Sequence, residues 1–93
     1  MFESRIERRL KNEVERRGGK ALKFTPQGYA GMPDRIILIP GGKTVFVELK
    51  APGKKPRPLQ VKRARELHTL GFRVYLIDSI ESINSFIKEV MSR

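Results

Sequence analysis

Apolar positions in this chain recur with two periods, and the switches between them divide it into seven elements. From Glu3 to Arg17, Ile6, Leu10 and Val14 lie four residues apart between charged neighbours, which predicts one stripe of an amphipathic helix ended by Gly18-Gly19. Lys20 to Phe24 reads as a short strand. Thr25 to Pro33 holds two prolines and two glycines with no apolar period, and reads as a loop. Two apolar runs follow, Ile36 to Ile39 and Thr44 to Leu49. The turn-forming segment Pro40-Gly41-Gly42-Lys43 separates them, so the pair predicts a hairpin.

The second half repeats the alternation of periods. Ala51 to Pro58 carries three prolines, which exclude a helix interior or a central strand. Pro58 then suits the first turn of a helix running to Leu70, with Leu59, Ala64, Leu67 and Leu70 toward the core and Gly71 as its stop. Phe72 to Ile77 alternates as a strand, so the unit strand–helix–strand implies a crossover connection. Asp78 and Glu81 have the spacing of a capping box. They precede a last amphipathic helix marked by Ile80, Ile83, Ile87 and Val90, with Phe86 beside the stripe. The predicted class is α/β, a mixed sheet flanked by helices in the order αβββαβα.

The hairpin register decides what the polar ends of its strands can do. Side chains alternate across a strand, so Glu48 and Lys50 share a face. Pairing Ile39 with Lys43 sets Asp34 opposite Glu48 and leaves Pro40-Gly41-Gly42 as the turn. Pairing Ile39 with Thr44 instead sends Asp34 to the other face, unless a bulge restores it. In the first register two carboxylates and an ammonium meet at the edge of an apolar sheet. Hard cations such as Mg²⁺ are held by one or two carboxylates, with waters and substrate phosphates completing the shell. Asp34 and Glu48 are therefore candidate ligands, and the Leu49 backbone carbonyl between the strand-end charges can add a third oxygen. Lys50 is placed to hold an attacking water or to offset charge on a phosphate. The plainer alternative makes Asp34, Arg35, Glu48 and Lys50 ordinary strand-end ion pairs.

Composition narrows the partner. The chain has 93 residues, the size of one domain, with 20 Lys and Arg against 10 Asp and Glu and a formal net charge of +10. That excess points to a polyanion, with nucleic acid ahead of a membrane surface. No apolar run approaches the ~20 residues of a membrane span, and Met-Phe-Glu-Ser-Arg has no signal-peptide core. Cysteine is absent, which excludes disulfides and thiolate metal sites and fits a reducing cytoplasm. Lys54, Lys55 and Arg57 make a basic loop directly after the Glu48–Lys50 strand, a candidate phosphate clamp. Lys62 adds to it from the following helix. Gln27 and Tyr29 in the loop before Asp34 can touch a nucleic acid, or that loop is a plain connector.

Pro33-Asp34, a short spacer and Glu48-Leu49-Lys50 resemble the PD-(D/E)xK nucleases. The longer string Gly-Met-Pro-Asp-Arg-Ile, then Val-Phe-Val-Glu-Leu-Lys-Ala-Pro-Gly-Lys, then Leu59-Gln60, is similar to the stand-alone, phage-type VRR-NUC branch of that superfamily. The resemblance implies a restriction-endonuclease-like core with one added helix and a nuclease needing Mg²⁺ or Mn²⁺. Asp34, Glu48, Lys50 and Gln60 would be its catalytic residues, and Glu3 or Glu7 on the first helix would complete the metal shell. It further implies a homodimer that cuts branched duplex DNA such as four-way junctions, in the host cytoplasm if phage-encoded. Two other readings stay open: a non-catalytic basic module that binds nucleic acid by charge and shape, and a nuclease with the same site acting on RNA or single strands.

Overall fold

A computed structural model describes residues 2–91, with side chains from Ser4 onward. Three helices flank a four-stranded sheet in the expected order: α1 (Phe2–Arg16), β1 (Lys20–Lys23), β2 (Arg35–Ile39), β3 (Lys43–Leu49), α2 (Pro58–Thr69), β4 (Val74–Ile77) and α3 (Ile80–Val90). The strands lie in the order β1-β2-β3-β4. β1, β2 and β3 are antiparallel neighbours, whereas β4 joins β3 in parallel after the α2 crossover. Among the described residues, no helix is long and apolar enough to cross a membrane.

The sheet's two faces differ. Odd-numbered side chains of β2, β3 and β4 (Ile37, Val45, Val47, Leu49 and Ile77) form the main core with Ile6, Leu10 and Val14 of α1 and Ile83, Phe86, Ile87 and Val90 of α3. The stripes expected on both terminal helices thus meet on one side of the sheet. The even-numbered face carries Phe46, flanked by Phe24 and Phe72 with ring centroids 5.4 and 5.5 Å away. Helix α2 covers part of this face through the buried Leu67.

Several apolar positions expected in the core are not there. Leu70 is 72% exposed, and Leu59 and Ile80 are exposed as well. All three lie at helix ends. The last helix is capped at Ser79, not Asp78: Ser79 Oγ accepts from the Ser82 N–H at 3.0 Å, and Ser82 Oγ accepts from the Ser79 N–H at 3.0 Å. A serine pair thus replaces the expected acidic box, satisfying the same amide groups. The strand expected from Phe72 begins at Val74, although the Arg73 carbonyl already accepts from the Phe46 N–H.

The hairpin pairs Ile39 with Lys43 and Arg35 with Val47. This is the register that sets Asp34 opposite Glu48. Gly41 and Gly42 both have positive φ, +95° and +86°, so the three-residue turn needs glycine to close without strain.

Candidate functional site

The site is built at the end of the β2–β3 hairpin, on the even face. Asp34 lies just before β2, and its Oδ1 accepts from the Leu49 N–H at 3.1 Å. That bond fixes the carboxylate against the partner strand across the last hairpin rung. Glu48 is 9% exposed although it is charged. Its Oε2 takes the Gln60 amide at 2.8 Å and lies 3.3 Å from Lys50 Nζ. Its Oε1 is buried and has no donor in hydrogen-bonding geometry among the described residues. Asp34, Glu48 and Lys50 are therefore gathered as their spacing predicted.

Burial pushes the Glu48 carboxyl above its ordinary range. The Asp34 charge acts in the same direction, and Lys50 opposes both. A buried acceptor without a donor costs free energy. A raised carboxyl beside a second carboxylate is the electrostatic signature of a place suited to a cation. The donors are oxygens on two carboxylates, which match a hard divalent ion that takes its other ligands from water and phosphate. Among the described residues, no group of three or more His, Cys, Asp or Glu is arranged to hold a metal.

The first helix reaches the site through Arg35. The Glu3 side chain lies outside the described residues. Glu7 accepts from Arg35 Nη2, and Arg35 Nη1 also donates to the Asp34 backbone carbonyl at 2.9 Å. The other acids of α1 behave as a solvated face, with Glu13 taking Arg9, Arg16 and Arg17.

Gln60 has a more definite job than sequence could give it. Its Oε1 accepts from the Arg57 N–H at 2.8 Å while its Nε2 donates to Glu48. The glutamine thus both caps α2 and orients the buried carboxylate. A cleft of about 180 Å³ opens beside it, between α2 and the sheet, with Pro33, Glu48, Pro56 and Val61 in its walls. The basic loop leaves β3 just after Lys50 and returns at the turn that carries Gln60. Lys54, Lys55, Arg57 and Lys62 are all exposed there.

The loop before Asp34 is strapped to α2, which sequence did not show. The Arg63 guanidinium lies 3.9 Å from the Tyr29 ring centroid, and Arg63 Nε donates to the Ala30 carbonyl at 2.9 Å. Tyr29 Oη donates to Glu66 at 3.1 Å. Gly31, with φ +87°, lies so close to α2 that a Cβ there would sit 2.6 Å from Leu59 Cγ. The i, i+3 spacing of Arg63 and Glu66 was visible, but its aromatic partner lies far away in sequence.

Comparison with known proteins places this geometry. No family model matches the chain. A curated phage protein, "Putative nuclease p44" of Acyrthosiphon pisum secondary endosymbiont phage 1, is 47% identical over 77 residues, which is 83% of each chain. A solved "VRR_NUC domain" superposes with a TM-score of 0.91 at 27% identity, covering 97% of this chain and 98% of its own. The chain belongs to the VRR-NUC family. A second solved structure, a "VRR_NUC domain protein", has a TM-score of 0.71 at 20% identity over 98% of this chain and 88% of its own, a likeness of fold alone. The αβββαβα order is thus a VRR-NUC nuclease fold, with the Asp34–Glu48–Lys50 cluster at the end of its hairpin.

Proposed function

We propose that this VRR-NUC domain is a metal-dependent endodeoxyribonuclease that hydrolyses phosphodiester bonds in branched duplex DNA, four-way junctions being the leading substrate. The observation that carries the reading is the buried Glu48 Oε1, without a hydrogen-bond donor among the described residues, in a cluster with Asp34 and Lys50. Asp34 and Glu48 would hold Mg²⁺ or Mn²⁺, with the Leu49 carbonyl and a glutamate from the start of α1 as further oxygens. The ion supplies Lewis acidity and lowers the pKa of a nearby water. Lys50 then orients the attacking water and offsets charge on the phosphate. Gln60 keeps Glu48 in place. Lys54, Lys55, Arg57 and Lys62 grip backbone phosphates on either side.

One such site cuts one strand, so paired cuts in a branched duplex favour a symmetric homodimer. The cysteine-free, basic chain suits a cytoplasmic enzyme. The test is cleavage of labelled four-way junction, linear duplex and single-stranded DNA with Mn²⁺, Mg²⁺ or EDTA, by wild type and Lys50→Ala. Paired, metal-dependent cuts in the junction alone, lost in the variant, are expected. Cutting of all three substrates would keep the chemistry and remove the junction preference. Tight binding with no cutting in either metal would leave a basic binding module.

A further inference from the structure

Arg35 is the first residue of β2 and odd-numbered, so its side chain lies on the core side of the sheet, toward α1. It is only 11% exposed, while its partner Glu7 is 37% exposed. A guanidinium so enclosed needs counter-charge, because an unpaired buried charge is strongly unfavourable. Among the described residues, two carboxylates are within reach. Glu7 takes the Nη2 hydrogen bond, and Asp34 Oδ2 stands 3.8 Å from Nη1, an ion-pair distance too long for a hydrogen bond. Asp34 is thus both the candidate metal ligand and the second-choice partner of a buried cation.

We infer that Glu7 is a positioning residue, which by pairing with Arg35 holds the guanidinium at ion-pair distance from Asp34 and so keeps it from closing into a bidentate pair with that carboxylate. The inference rests on the metal-dependent reading of the Asp34–Glu48 site and assigns Glu7 a task other than ligation. Without the Glu7 charge, Asp34 is the carboxylate left to Arg35 among the described residues. A bidentate guanidinium–carboxylate pair would form at the oxygens the cation needs. Arg35 cannot relieve the competition by losing its proton. Glu7 then acts on the metal through Arg35, as outer partners of metal ligands generally do, at a cost of ~10- to 100-fold in affinity when they are removed.

The experiment is Mn²⁺ titration by calorimetry on the full chain without DNA, with thermal melts to confirm folding. Wild type, Glu7→Gln, Arg35→Met and the double variant are compared. Glu7→Gln should weaken Mn²⁺ binding by ~10-fold or more. The double variant should recover wild-type affinity, because the competing cation has gone with its restraint. Arg35→Met alone should bind Mn²⁺ at least as tightly as wild type, since the freed Glu7 is solvated. That variant decides the matter if the double variant fails to fold. Weak binding by both Glu7→Gln and the double variant would make Glu7 a ligand and overturn the inference, as would wild-type affinity in Glu7→Gln. Weakened binding in Arg35→Met would overturn it by showing that the arginine supports the site. Absence of Mn²⁺ binding in wild type would instead refute the metal-site reading itself, and the inference with it.

Discussion

Gln60 and Glu48 are joined by a 2.8 Å hydrogen bond that links the first turn of α2 to the last residues of β3. The same amide group takes the Arg57 N–H through its oxygen, so its orientation is set from both ends. Gln60→Ala should therefore let the buried carboxylate turn. Cleavage should fall by on the order of 10- to 100-fold, while DNA affinity measured in EDTA stays at the wild-type level. Unchanged cleavage would show that Lys50 and burial suffice to hold Glu48.

The Glu48 carboxyl also writes itself into the pH dependence of stability. Its folded pKa lies above the ordinary glutamate value of 4.5, because of burial first and Asp34 second. A group raised in this way stabilises the fold fully below its unfolded pKa, and that contribution is lost as pH climbs through the folded value. Glu48→Gln removes the titration. The melting temperature of the variant minus that of wild type should therefore grow as pH rises through and beyond the ordinary glutamate range. Adding Mn²⁺ should raise the wild-type melting temperature at the upper end and leave the variant unmoved. A difference constant with pH would contradict this account.

The basic loop predicts a specific salt response. Lys54, Lys55, Arg57 and Lys62 are exposed around the exit of β3. Each that contacts a phosphate contributes about 0.9 to the slope of log K against log salt. Replacing Lys54 and Lys55 by glutamine should flatten that slope by nearly twice this amount. The turnover rate at saturating DNA should barely change. A slope equal to that of wild type would make the loop a solvated linker.

Gly31 tests the strap between the loop and α2. Gly31→Ala combines a positive φ of +87° with a 2.6 Å approach to Leu59. The expected loss is ~1–3 kcal/mol, read from urea unfolding. Activity should fall further than stability alone explains, because the displaced segment leads directly into Asp34. A variant as stable as wild type would mean that the loop can lift from α2 freely.

Local pattern carried much of the fold and the central triad. The alternation of β3 was enough to put Glu48 and Lys50 on one face. The even parity of Asp34 was enough to name the register that would bring it there. The α1 and α3 stripes were legible because three- and four-residue spacings span their lengths. What escaped was what depends on relations between elements. Leu70 and Ile80 keep the helical period but are exposed at helix ends. The Ser79 cap competes with Asp78 one residue away, and the chain's entry into the helix decides between them. Arg35 and Glu7 lie 28 residues apart. Even so, an arginine at an odd position of a core strand was a sign that some acid on the facing helix must meet it.

The chemistry of this domain is local where its scaffold is not. Asp34 reaches Leu49 over 15 residues and Glu48 reaches Gln60 over 12, so the central cluster is complete within residues 34–60. Closing such short loops costs little entropy. The outer elements, α1 with β1 and β4 with α3, enclose this segment from both sides in sequence. The arrangement makes the domain portable: its flanks can diverge, lengthen or be joined to other chains while the reactive segment travels intact, provided that a glutamate on the leading helix still faces Arg35.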